Sequence, residues 1–526
     1  MPAQNTGQIS DHYTIDCFAG GNVATQPTGA QTVPAPQRSA ASPAVERERF
    51  HFSHHDNAYR RTHYESADTD RLNAAHWELA NESPANVDLA WQLPTMRTRA
   101  RHEAANNPTV EGLMLSHTLA VAGEDGPLLD LQGEDDAADE WCALAEQVWQ
   151  DWCAVADAAG QLSLCSLIKQ WNLSCWQNGE WIEQLVEEDR QFAVPGVPNL
   201  RLHGVEVQRL VTPYASLSDA NIVMGIKRSA MRRPLEYHLA RDYQAGVLST
   251  VGDWIEARNI IHGYDQVQAE RGQARGTPWI QSGLPTAADG RDYDTQVLDA
   301  ARSAADANII AFTAHPDAEF ADNVPASVTY RRRQINFLAP GWQAAQTVPT
   351  QPGAQYKDHR QELHGDLGKP KGVPSMITRL DARDHNYSSA RFDYQLLGES
   401  AKHVRATLYS PRLGRLVRMV LSEAILMGRL PRAPKSFQLM WVWPSLPEID
   451  EMKAAEAEQL RMRNGTRTYT EACALGHGRR ARDQARRRQR DDRMLIAFGL
   501  PTVMEATARN VGSTANTAPA ASAEGE

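Results

Sequence analysis

Hydrophobic positions in this chain switch between two periods, and the switches mark its segments. From Trp141 to Glu187, Trp, Leu, Ile and Cys recur at helical spacing and predict a pair of amphipathic helices. The turn Asn178-Gly179-Glu180 closes the pair and leads into the strand-like Trp181-Ile-Glu-Gln-Leu-Val. Residues 199–266 alternate in the strand manner, as in Val205-Glu-Val207, Leu235-Glu-Tyr237-His238-Leu239 and Ile260-Ile261-His262. Tyr293, Val297, Ala301, Ala304, Ala305, Ile309 and Phe312 then trace one face of a helix over about 290–314, ended by Pro316. Small residues on that face suit close helix packing.

A short β-containing excursion over 318–352 and a more polar helix over about 353–368 come next. An exposed loop of about fifteen residues, 374–387, follows; a loop that long in a compact chain is functional or disordered. Asp384, Asn386 and Ser388 are N-cap residue types for the helix after it. That helix carries Phe392, Leu396, Leu397 and Val404 at helical spacing until Ser410-Pro411 breaks the run. Beyond Pro411, Leu413, Leu416, Val417, Val420, Leu421, Ile425 and Leu426 predict a buried helix. The fold class expected is α+β, predominantly α-helical.

Composition adds bounds. The 526 residues suffice for two or three domains or one elaborated subunit, and 42% hydrophobic content supports a real core. No apolar run approaches the roughly eighteen residues of a membrane span, and the N-terminal sequence lacks a signal-peptide pattern. Six cysteines without Cys-x-x-Cys spacing read as reduced thiols, mostly in the core among Trp and Leu. Residues 1–46 and the tail 510–526 have the composition of disordered segments. A net charge of −11 argues against a protein that coats DNA through phosphate neutralisation; it is compatible with a DNA tunnel and equally with proteins that have no DNA partner, so alone it decides nothing.

Candidate chemistry is sparse. His51, His54, His55, Asp56 and His63 are metal-ligand types beside a flexible arm, and exposed polar sequence is the favoured reading. His238 and His262 stand without a nucleophile or carboxylate at a recognisable spacing, so core or sheet-face roles are favoured over general-base catalysis. An intracellular hydrolase, such as a nuclease or a protease, using these histidines is one reading of the function; a scaffold or adaptor is another. Gly365-Asp-Leu-Gly368-Lys369-Pro370 is not a Walker A loop, because the spacing is wrong and Pro replaces the Mg²⁺-binding hydroxyl. Arg97, Arg99 and Arg101 spread around a helix read as solvated, with Asn106-Asn107-Pro108 ending it. Residues 479–493 hold eight arginines and three aspartates, a solvated helix or a DNA or partner contact through Arg486, Arg487, Arg488 and Arg490.

The stretch Asn386-Tyr387-Ser388-Ser389-Ala390-Arg391 resembles the "NYSSAR" signature of lambda-type portal proteins of tailed phages. Further blocks follow that family's order. They are Arg97-x-Arg-x-Arg to Asn-Asn-Pro108, Gly179-Glu180, Arg233-Pro-Leu-Glu-Tyr-His-Leu239, Ile260-Ile-His262, Gly272-Gln-Ala-Arg-Gly276, and Trp441 to Lys453 with Gly465. Gly476-His477-Gly478-Arg479 departs from the family's acidic turn.

The resemblance implies a portal fold built as a ring of about twelve copies at one capsid vertex, closed by a heterologous interface. It implies a wing over 47–285, stem helices over 286–317 and 353–373, and a clip over 318–352. A tunnel loop over 374–387, a long helical wing segment over 388–430 and wing or crown helices over 431–509 complete it. It implies no catalytic residue, metal or cofactor. Arg331, Arg332 and Arg333 would dock the terminase motor and later the head–tail connector. Arg379, Asp381, Arg383, Asp384 and His385 would face double-stranded DNA. Capsid and scaffold proteins are further implied partners; the implied location is the virion, with assembly in the host cytoplasm.

Overall fold

The computed structural model describes residues 82–241, 251–266, 271–305, 309–313, 342–346, 355–447 and 450–502. The N-terminal arm with His51, His54, His55 and His63, the Arg331–Arg333 cluster and the tail from 510 lie outside the described residues.

Two helices open the described chain, α1 (Ala85–Asn106) and α2 (Pro108–Ala122). Asn107 both ends the first and starts the second: its side chain accepts from the Thr109 and Val110 N–H groups, and Pro108 occupies a first-turn position where no N–H is needed. Strand β1 (Leu128–Gly133) leads to the Trp-rich pair α3 (Asp136–Cys153) and α4 (Leu164–Asn178), capped by Asp135 and Ser163. The strands that follow are β2 (Glu180–Glu187), β3 (Leu200–Val205), β4 (Ile222–Val223), β5 (Ile226–Arg228), β6 (Pro234–Ala240), β7 (Gly252–Glu256) and β8 (Ile260–Tyr264). They form two antiparallel sheets, ordered β3-β2-β8 and β4-β5-β6-β7.

Next come α5 (Leu284–Ala305), β9 (Ile309–Thr313), β10 (Trp342–Gln346), α6 (Tyr356–Asp366), α7 (Ser375–Arg379) and α8 (Tyr387–Val404). A π-helical segment, Arg405–Tyr409, joins α8 to α9 (Ser410–Leu426). The chain closes with β11 (Phe437–Val442), α10 (Glu451–Arg463), α11 (Tyr469–His477) and α12 (Ala481–Ala497). β11 pairs antiparallel with β1, from Leu128 opposite Val442 to Gly133 opposite Phe437, tying the two ends of the described fold together.

The main core lies among α2, α3, α4 and α9 and buries Trp141, Trp149, Trp152, Trp171, Trp176 and Trp279. Trp171 stacks on Trp181 with centroids 4.1 Å apart and planes 4° from parallel. A smaller core between the sheets holds Ile182, Val205, Leu210, Ile226, Tyr237 and Ile260. Among the described residues no helix is long and apolar enough to cross a membrane.

Four expectations need correction. The helix over 290–314 ends at Ala305, and Ile309–Thr313 is a strand paired with Trp342–Gln346. Short apolar runs fit either period, and the β-branched pair Ile309-Ile310 favours the strand. The 374–387 stretch is not all exposed loop: Ser375–Arg379 is helical and Thr378 is buried. Ser410-Pro411 does not break the helix. The backbone widens to the π form ahead of the proline, and the Arg412 guanidinium donates to the Leu408 carbonyl at 2.6 Å and, at 3.4 Å, to the Thr407 carbonyl, the oxygen that an N–H at position 411 would otherwise serve. Leu426, at the helix end, is exposed rather than buried.

Candidate functional site

Several of the spaced sequence blocks meet at one carboxylate. Glu180, first residue of β2, is fully buried. Its Oε1 accepts from Arg97 Nη2 at 2.5 Å and Arg275 Nε at 2.6 Å. Its Oε2 accepts from the Gly276 N–H at 2.8 Å and lies 3.0 Å from His262 Nε2. Arg275 also donates to the carbonyls of Val207, Leu210 and Met224, so one side chain ties both sheets to the turn before α5.

Two glycines permit this approach. Gly179 caps α4 at φ 84°, and a Cβ on Gly276 would lie 2.0 Å from the Gly179 carbonyl oxygen. Arg97 is therefore buried on this knot and not solvated as its sequence suggests. Burial needs a partner to hold its charge, and Glu180 supplies it. His262, too, gains a carboxylate that spacing does not reveal.

Burial would raise the Glu180 pKa, but Arg275, Arg97 and the His262 hydrogen bond hold it well below the usual range. Burial outweighs Glu180 in lowering that of His262, which stays neutral at neutral pH. With both oxygens saturated by donors, Glu180 is a structural anion and not a proton acceptor. Glu183, three residues along the same strand, shows the opposite state. Its Oε1 accepts only from Trp171 Nε1 at 2.6 Å and its buried Oε2 has no partner. Burial pushes its pKa up to about 7, against the Trp171 hydrogen bond.

The loop between α7 and α8 is built differently. Leu380 reverses the chain at φ 51°. Asp381 then takes a two-pronged contact from Arg383, Nε to Oδ1 at 2.9 Å and Nη2 to Oδ2 at 2.7 Å. Asp384 accepts from Gln361 Nε2 at 2.9 Å and lies 3.4 Å from Lys357 Nζ. His385 Nε2 is 3.3 Å from Asp393, and the Arg379 Nε is buried without a hydrogen-bond partner. Of the three N-cap residue types, Asn386 is the one used: its side chain accepts from the Ser389 N–H at 2.9 Å, and Ser389 Oγ accepts from the Asn386 N–H at 3.0 Å. Tyr387 and Ser388 begin the helix and are exposed, as is Arg391.

Lys357 and Gln361 share one face of α6, while Tyr356 and Arg360 share another and bind Asp294 of α5 at 2.8 and 3.0 Å. The loop is thus coupled through α6 to α5. Hydrogen bonds from Arg383 hold the Asp381 carboxyl far below its ordinary range, and those from Gln361 and Lys357 lower that of Asp384. Both stay ionised, each beside a cation, so the loop is charged but locally neutral.

The profile described as "Phage portal protein, lambda family" matches residues 70–404. The chain belongs to the lambda family of phage portal proteins. Solved structures resembling this portal chain include "Neck of empty GTA particle computed with C6 symmetry", at 14% identity and TM-score 0.41, covering 82% of this chain and 98% of that one. "Virion of native gene transfer agent (GTA) particle" matches at 14% identity and TM-score 0.38, over 78% of this chain and 94% of the other. An HK97 family phage portal protein from Corynebacterium diphtheriae matches at 12% identity and TM-score 0.31, over 68% and 96%. No curated relative matches the chain.

The blocks that join in the portal knot, at Arg97, Gly179-Glu180, His262 and Arg275-Gly276, all fall inside the matched region. His238 sits in the four-stranded sheet with its Nδ1 2.9 Å from the Val211 carbonyl oxygen. The structure therefore brings Asp381, Arg383, Asp384, His385 and Asn386 together on one loop, with Arg379 closing the helix before it, and it places Arg486, Arg487, Arg488 and Arg490 on α12, all exposed but spread around the helix, Arg488 on the side near Tyr469. Glu180 is the residue that sequence reasoning missed. The available signal was a Gly-Glu pair opening an otherwise apolar strand.

Proposed function

We propose that this portal chain is one subunit of a closed ring of about twelve copies at a single capsid vertex. Double-stranded DNA enters through the ring, driven by a terminase motor whose ATPase lies on another chain, and later leaves by the same opening. Head–tail connector proteins attach to the clip, at 318–352, where Arg331, Arg332 and Arg333 stand. Residues 47–285 form the wing, α5 and α6 belong to the stem, and the segment from 388 onward supplies the helical wing and crown.

The observation that carries this reading is the family match over 70–404. Supporting it is the electrostatic character of the 380–386 loop. Each acidic side chain of that loop already has a cationic neighbour within 3.4 Å. A duplex passing such a surface displaces few counterions and so is not held, since affinity climbs steeply with each phosphate neutralised. Replacing Asp381 and Asp384 with Lys removes that balance. The expected result is slower DNA movement in a packaging assay, with rings still assembling. Packaging at the wild-type rate would take the loop out of the mechanism.

A further inference from the structure

Helix α12 carries charge that the fold leaves unused. None of its residues is buried. It is fixed to the body at its start, where Arg480 binds Glu146 and Asp483, each at 2.7 Å, and Arg482 lies 3.3 Å from Asp139. Beyond that anchor, Arg486, Arg490 and Arg493 are exposed and have no carboxylate within ion-pair distance among the described residues.

Their spacing of four and three residues puts them on one face, about 6 and about 4.5 Å apart along the axis at ~1.5 Å rise per residue. Arg487 borders that face, whereas Arg488 lies on the opposite side of the helix, near Tyr469 of α11. The aspartates are kept off it. Asp483 is engaged by Arg480, and helical geometry turns Asp491 and Asp492 to the far side. Met494 and Ile496, also exposed, fall to either side of the arginine face.

We propose that the face formed by Arg486, Arg490 and Arg493 binds the phosphate backbone of double-stranded DNA. The inference rests on the portal reading, which brings a duplex to this chain. An arginine row on a helix about 10–12 Å across fits the roughly 12 Å major groove, where phosphates line both walls. Guanidinium groups contact phosphate oxygens two at a time, and the row lacks the aromatic anchors typical of a protein interface. In this role α12 is a drag surface on the duplex, in contrast with the charge-balanced loop at 380–386.

The test measures anisotropy of a fluorescent 30-bp duplex with full-length protein between about 50 and 200 mM salt. Variants are R486A/R490A/R493A and the charge-keeping R486K/R490K/R493K. Wild type is expected to lose on the order of 40-fold more affinity than the alanine variant across that range, the effect of about three phosphate contacts. The lysine variant should keep the wild-type salt slope. Equal affinity and slope in wild type and alanine variant would overturn the proposal. So would a change in particle mass by mass photometry with DNA binding unaltered, which would make the face a contact with a neighbouring copy or an acidic protein segment. Rings that form with unchanged DNA affinity sink this inference and leave the portal reading standing. Absence of rings, with the DNA difference present, does the reverse.

Discussion

The Glu180 knot and the 380–386 loop both pair carboxylates with arginine, yet they do opposite work. In the knot, Glu180 and the side chains of Arg97, Arg275 and His262 are each no more than 5% exposed, and Arg97, Arg275 and His262 all reach a Glu180 oxygen. At the loop, Arg383 is 79% exposed, and Lys357 of α6, the cation beside Asp384, is 57% exposed. Buried charge cannot be released without leaving an unpaired ion in a poor solvent, so the knot fixes the joint of α1, β2, β8 and the turn before α5. Exposed pairs are weak and screened by salt, so the loop's contacts can be exchanged at little cost. The same chemistry gives scaffold in one place and an adjustable surface in the other.

Removing Glu180 should break the comparison most severely. Glu180→Gln leaves two buried guanidinium groups short of a counter-charge and is expected to destabilise by about 3–5 kcal/mol, read by denaturant unfolding. A midpoint equal to wild type would show that the knot holds nothing. Glu183 sharpens the point, being buried without an ion partner. Its folded pKa, raised to about 7 from an ordinary 4.5, means its contribution is present below about 4.5 and lost as pH rises through about 7. Glu183→Gln should therefore match wild type near pH 4.5 and be more stable above pH 7, by about 3 kcal/mol. A pH-independent difference would contradict this. The smallest effect is expected at the loop. Lys357→Ala with Gln361→Ala should leave the melting temperature unchanged but speed amide exchange over 380–386 severalfold. Unchanged exchange would mean that these contacts do not restrain the loop.

Much of this architecture is legible in sequence because it is local. The Trp-rich pair follows from helical spacing, and all of Trp141, Trp149, Trp152, Trp171 and Trp176 are buried as that spacing requires. Asn386 is recognisable as a cap type, whereas the sequence reading groups Arg486, Arg487, Arg488 and Arg490, of which only Arg486 and Arg490 share a helix face with Arg493. The knot could not be read that way. Arg97, His262 and Arg275 lie more than eighty residues from Glu180, and no period links them. Local propensity also misjudged two helix boundaries. At Ile309 it lost to pairing with a distant strand, and at Pro411 to a π-helical turn and an arginine that donates to the Thr407 carbonyl the proline leaves short. What sequence hides here is long-range pairing and side-chain rescue of backbone groups.

Imaging the purified full-length chain by negative-stain electron microscopy, with mass photometry on the same sample, tests the portal assignment most directly. Closed rings with a central opening and a mass near twelve subunits are expected. Monomers or open, unclosed oligomers under every buffer and protein concentration would contradict it.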